Sequence, residues 1–81
     1  MVQAYKERKA LVLQWDKNGY DGPVTIQTIN AADISDISST ELVSNPGFAA
    51  VSFPLDYVGA FQVRVIDGEG NEIDNGELDV Q

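Results

Sequence analysis

The chain predicts an all-β fold, an antiparallel sandwich or barrel, on three observations. Apolar residues recur with a period of two rather than 3.6. Turn residues punctuate the chain about every eight to twelve positions. A length of 81 residues leaves room for one core and therefore one domain.

Taken in order, the strands fall near residues 2–6, 9–16, 23–30, 39–44, 47–54, 60–67 and 71–80. In ALVLQW, Leu11, Leu13 and Trp15 alternate with Val12 and Gln14. In PVTIQTI, Val24 and Ile26 alternate with Thr25 and Gln27. The segment NAADISDISSTELVS has no clean period, and its Ile34, Ile37 and Leu42 fit a helical turn, an irregular connection or an edge strand; a loop leading into an edge strand is preferred. Beyond it, Ala49, Val51, Phe53 and Leu55 share one face, and Phe61, Val63 and Val65 alternate with Gln62, Arg64 and Ile66. Leu78 and Val80 close the series, with Ile73 across from them. NGYDGP, SNPG, YVG, DGEGN and DNG fall between or at the ends of these runs, where glycine and asparagine supply positive φ and proline fixes it. The expected core is Leu11, Leu13, Trp15, Val24, Ile26, Val51, Phe53, Leu55, Phe61, Val63, Val65, Leu78 and Val80.

The residues LVLQW followed by DGPVTIQTI resemble the second and third strands of a fibronectin type III or related immunoglobulin-like domain, in which a tryptophan closes the second strand. The run from Leu55 through Tyr57, Gly59 and Phe61 to Val65 resembles that family's sixth strand, with a leucine, an aromatic six residues later and alternating valines. The resemblance spans nearly the whole chain and implies an antiparallel immunoglobulin-like β-sandwich of about seven strands. It implies a superfold, not an activity. Where many such domains carry a corner tyrosine, this chain has Phe61, which can fill the core but cannot make the hydroxyl's hydrogen bond. Tyr57, four residues earlier, is a possible substitute. The disulfide of antibody domains is absent, since there is no cysteine.

Composition narrows the chemistry. Without cysteine or histidine, thiolate chemistry, the commonest metal ligand and the most usual acid–base catalyst are all missing. No nucleophile elbow or glycine-rich phosphate loop occurs. The carboxylates cluster in turns and on outer faces, whereas acid–base catalysis needs them opposed in a pocket. The chain therefore reads as a non-enzyme without a cofactor. Asp67, Glu69, Asn71 and Asp74 in DGEGNEID offer oxygens of the kind calcium prefers, but the spacing lacks a full calcium loop. A hairpin turn explains Gly68, Gly70 and Asn71 with fewer assumptions, so no metal site is expected.

The net charge of −8 is unevenly placed. Residues 1–17 carry Lys6, Arg8, Lys9 and Lys17 against Glu7 and Asp16, and the remainder is strongly acidic. Such a body repels a phosphate backbone, which argues against nucleic-acid binding. No apolar run approaches the roughly 18 residues of a membrane helix. A chain starting at Met1 reads as made without a signal peptide; as a fragment of a larger protein it carries no such message.

Lys6, Arg8 and Lys9 are candidates to touch an acidic partner, with edge protection as the plainer alternative. Tyr20 and Phe48 are candidates for a sugar-stacking or protein-docking surface, with capping of the core ends as the alternative. Tyr5 and Tyr57 are likewise not clearly owned by the core. The expected function is structural: a small accessory or decoration protein of a tailed-phage virion, docked on a capsid or other assembly protein. The alternative is a binding or spacer module of a bacterial secreted or cell-surface protein, with a carbohydrate or protein ligand.

Overall fold

Each alternating run forms a strand in the computed structural model, which describes residues 1–8, 10–31, 33–52 and 59–80. The seven strands are β1 (Gln3–Glu7), β2 (Ala10–Gln14), β3 (Val24–Asn30), β4 (Asp33–Leu42), β5 (Phe48–Ser52), β6 (Gly59–Asp67) and β7 (Glu72–Val80). They build two antiparallel sheets, ordered β1-β2-β5 and β4-β3-β6-β7. The sheets are not closed into a barrel; they form a sandwich.

Burial follows the period of two. Leu11, Leu13, Trp15 and Val51 from one sheet meet Val24, Ile26, Phe61, Val63 and Val65 from the other, with Val2 at the rim. Ala4, Leu42, Ala49, Ile73 and Leu78 pack around them, half-buried. Val2 was not among the expected core positions because a lone valine beside polar neighbours gives no periodic signal. Phe53, Leu55 and Tyr57 lie outside the described residues, as does the side chain of Val80.

The strand β4 begins earlier than the sequence pattern indicates. Ser35, Ile37, Ser38 and Ser39 are all exposed, so among the described side chains burial sets no alternation over this first part of the edge strand. The pairing with β3 also shifts register after Ile29↔Ile37, which interrupts the pattern further.

Turns are set by local chemistry. Asn18 (φ 54°) and Gly19 (φ 75°) occupy the centre of a turn closed by Tyr20 N–H to the Lys17 carbonyl at 3.1 Å, the arrangement of a type I′ turn. The β6–β7 hairpin is closed by Asp67 N–H to the Asn71 carbonyl at 2.8 Å and Gly70 N–H to the Asp67 carbonyl at 3.1 Å, with Gly70 at φ 89°. In the β1–β2 connection, where Glu7 pairs with Ala10, Arg8 takes φ 55°, a conformation that costs an arginine more than an asparagine. Arg8→Asn is therefore expected to stabilise the fold by about 0.5 kcal/mol, read as a higher urea midpoint at unchanged slope.

The two sheets differ in width, and this positions everything below. The strand β1 lies against β7, where Val2 N–H donates to the Asn75 carbonyl at 2.8 Å. With that side matched, three strands stand over β7, β6 and β3, and β4 has no strand over it among the described residues. Its inward row shows the overhang: Leu42 and Thr40 are half-buried and Ser38 is exposed, although their partners Val24 and Ile26 are buried and Thr28 is half-buried.

Candidate functional site

The three-stranded sheet turns a nearly uncharged face to solvent. Its outward residues are Gln3, Tyr5 and Glu7 on β1, Val12 and Gln14 on β2, and Phe48, Ala50 and Ser52 on β5. Tyr5 (58% exposed) and Phe48 (66% exposed) stand on either side of β2, about 10 Å apart across the strands. Between them runs a shallow groove of about 350 Å³, floored by Val12 and Gln14. Exposed aromatics on a sheet face lose apolar hydration and little conformational entropy when covered, which makes them efficient contact residues.

Charge divides between the sheets. The strands of the four-stranded sheet carry Asp33, Asp36, Glu41, Asp67, Glu72, Asp74, Glu77 and Asp79 against Arg64 alone. The strands of the three-stranded sheet carry only Lys6 and Glu7, with Arg8 following at the turn. A larger trough of about 890 Å³ crosses the outer face of the four-stranded sheet, and Arg64 is among the residues that line it. Arg64 Nε donates to Glu72 Oε1 at 2.7 Å and Nη1 to Gln27 Oε1 at 3.3 Å, while Asn75 Nδ2 donates to Glu72 Oε2 at 2.9 Å. The guanidinium holds the Glu72 carboxyl below its ordinary range. This is a satisfied surface network, open to solvent.

The candidates from sequence separate accordingly. Phe48 is exposed on the nearly uncharged face, joined there by Tyr5. Tyr20 is not: its hydroxyl donates to the Pro23 carbonyl at 2.9 Å and accepts from Gly68 N–H at 3.0 Å, tying the β2–β3 connection to the β6–β7 turn. Tyr20→Phe should lower stability by about 1–2 kcal/mol in urea titration, because it leaves both backbone groups without that partner. Lys6 lies on the inward row of the edge strand β1, half-buried beside Ala4, where a charge discourages edge pairing. Arg8 is exposed at the turn, and Lys9 lies outside the described residues.

The oxygens proposed for calcium point into separate networks. Asp67 Oδ1 accepts from Glu69 N–H at 2.9 Å and Asn71 N–H at 2.8 Å, bracing the hairpin. Asp74 accepts from Asp16 N–H at 3.0 Å and Asn75 N–H at 2.8 Å and pairs with the Met1 ammonium at 3.1 Å. Among the described residues no three carboxylates converge on a metal position.

Burial pushes the Asp74 carboxyl up, but the two N–H donors and the ammonium outweigh it, so its pKa lies below the ordinary 3.8. A depressed native pKa gives stability that is present above the unfolded value and lost as pH falls through the native one. Below about pH 4 the wild type should therefore lose stability more steeply than Asp74→Asn, as thermal melts at stepped pH would register.

One buried polar residue was not singled out by the sequence. Asn45 is buried and accepts from Trp15 Nε1 at 2.7 Å while its amide donates to the Tyr20 carbonyl at 2.7 Å and the Lys17 carbonyl at 3.2 Å. It anchors the loop that delivers Phe48 to the sheet face. The chain matches no family model, no curated protein and no solved structure.

Proposed function

We propose that the chain is a non-catalytic docking module that attaches to a larger protein assembly through the outer face of its three-stranded sheet. One observation carries the reading: exposed Tyr5 and Phe48 flank Val12 on a face whose outward strand residues include a single charge, Glu7, opposite a sheet crowded with carboxylates. A partner covering the patch of Tyr5, Val12 and Phe48 gains apolar burial and meets one carboxylate of that face, Glu7, while the acidic sheet stays in water and keeps bound copies apart. The strand order supports the immunoglobulin-like resemblance, and the plan of a small acidic sandwich is similar to accessory proteins of tailed-phage virions. A capsid or other virion protein is accordingly the partner we propose.

The test is co-sedimentation with phage particles assembled without this protein. Wild type should pellet with the particles, and Tyr5→Ala/Phe48→Ala should remain in the supernatant with a melting temperature within about 3 °C of wild type, because both rings are exposed. Pelleting of the double variant, or absence of the wild type from the pellet, would overturn the reading. The amides of Gln3 and Gln14 beside the rings favour a second reading, a carbohydrate ligand stacked on Tyr5 and Phe48. Retention on an insoluble polysaccharide, lost in the same double variant, would select it.

A further inference from the structure

We propose that Asn18 is a site of spontaneous deamidation through the nitrogen of Gly19, and that the isoaspartyl product frees the turn from the grip of Asn45. The modification belongs to the chain itself and stands independently of what the sandwich docks on.

Asparagine is chemically labile where the next backbone N–H is unhindered and unengaged. That nitrogen attacks the side-chain Cγ, ammonia leaves and a cyclic succinimide closes. Water then opens the ring. Opening at Cγ gives aspartate in an ordinary chain, whereas opening at the backbone carbonyl gives isoaspartate, in which the chain runs through Cβ and Cγ. Glycine is the most reactive successor, because it places no Cβ beside the attacking nitrogen and bends freely into the ring.

Five asparagines occur, followed by Gly19, Ala31, Pro46, Glu72 and Gly76. Two of these pairs are Asn-Gly, and the fold separates them. Asn18 and Gly19 are both exposed at the centre of their turn. The backbone N–H of Asn18 donates to Asp16 Oδ1 at 2.8 Å, but among the described residues neither its side-chain amide nor the N–H of Gly19 has a partner. The space where a Cβ on Gly19 would stand is open.

The second pair is locked. Asn75 Nδ2 donates to Glu72 Oε2 at 2.9 Å, and Gly76 is buried. The Asn75 carbonyl accepts from Val2 and so faces away from β6; by the alternation of an antiparallel ladder, Gly76 turns its N–H toward Val63. Attack at Asn75 therefore needs the β6–β7 ladder to open. Elsewhere, Ala31 N–H is bonded to the Ala60 carbonyl at 3.1 Å, and Pro46 has no N–H. The Asp-Gly pairs, which reach the same ring by loss of water, are guarded as well. Gly68 N–H donates to Tyr20 Oη at 3.0 Å, and Lys17, 2.8 Å from Asp21, holds that carboxyl ionised and so a poor electrophile.

The consequence follows from what holds the turn. Asn45 Nδ2 donates to the carbonyls of Lys17 and Tyr20, the two ends of the turn. A β-linkage inserts an extra backbone atom between them, so the closure of Tyr20 N–H on Lys17 and both contacts with Asn45 no longer fit together. Asn45, loosened on that side, holds the Trp15 indole less firmly.

The test incubates the full chain at physiological temperature in mildly alkaline buffer and maps the products by tandem mass spectrometry. Asn18 should react at least about tenfold faster than Asn75 in the folded chain, and within about threefold of it in urea, where both pairs are open. The isoaspartyl fraction, isolated by chromatography, should melt about 5 °C or more below the starting protein, with faster exchange at the Trp15 indole and the Tyr20 amide. Asn18→Asp, which carries the same charge through an ordinary linkage, should melt within about 2 °C of wild type. An unmodified Asn18, or equal rates at Asn18 and Asn75 in the folded chain, would overturn the site. An isoaspartyl form that melts together with Asn18→Asp would overturn its coupling to Asn45.

Discussion

Replacing Asn45 with alanine is expected to cost about 2–4 kcal/mol of stability and to lower the melting temperature by about 10–20 °C. Asn45 is 3% exposed and is the only buried polar residue among those described. Its side chain serves three groups at once: the Trp15 indole N–H and the carbonyls of Lys17 and Tyr20. Alanine leaves the indole N–H, on a residue only 5% exposed, without an acceptor, and that alone costs about 1–3 kcal/mol. The two carbonyls lie in partly exposed segments and recover water, so their loss adds less than a full penalty each. A chain of this size commands only about 4–12 kcal/mol in total, so the variant should be partly unfolded at 37 °C. Guanidinium titration followed by Trp15 fluorescence would measure it; a loss under 1 kcal/mol would mean that water replaces the amide freely.

Asn45→Asp sharpens the point. The carboxylate still accepts from Trp15 but faces two carbonyl oxygens that now lack a donor. Burial and repulsion from those carbonyls raise the carboxyl's native pKa, so the folded variant binds more protons than the unfolded chain. Its stability must then fall as pH rises through neutrality. The variant should approach wild type near pH 4 and diverge from it above pH 6, a dependence that a purely steric defect would not produce.

That network shows where reading the sequence succeeds and where it stops. Trp15 was legible as a core residue because it continues the alternation of Leu11 and Leu13 on a strand buried on one face. Asn45, in SNPG, looked like ordinary turn chemistry, since nothing in a turn tetrapeptide says that its amide will meet an indole thirty residues away. Phe48 and Tyr20 were indistinguishable in the chain, each an aromatic beside glycine and proline. Only the pairing of β5 with β2 put one on an open face, and only the approach of Gly68 gave the other's hydroxyl two backbone partners. The overhang of β4 is a property of how sheets stack, and no local pattern encodes it. The acidic loop IDGEGNEI, by contrast, was readable as a hairpin, because Gly70 at positive φ and an asparagine beyond it are local requirements of the turn.

Gly76 carries the second large effect, which runs against its local preference. In the interior of β7, alanine ought to help by about 0.5–1 kcal/mol, because glycine loses more backbone entropy on folding. A Cβ at Gly76, however, would overlap the carbonyl oxygen of Val2 and stand 3.1 Å from the Val2 Cβ. The oxygen is backbone and cannot rotate away, so β1 must move from β7. That movement strains the Val2 N–H bond to the Asn75 carbonyl and draws the buried Val2 side chain from the core. Overpacking of this kind outweighs the entropy gain, and Gly76→Ala should be destabilised by about 2 kcal/mol in urea. A double-mutant cycle isolates the cause: with Met1 and Val2 removed, the same substitution should become neutral or mildly stabilising. If Gly76→Ala were equally harmful in both backgrounds, the close approach of Val2 would not be what demands glycine. If it were stabilising in the full chain, the seam between the two sheets would be looser than the contact with Val2 requires.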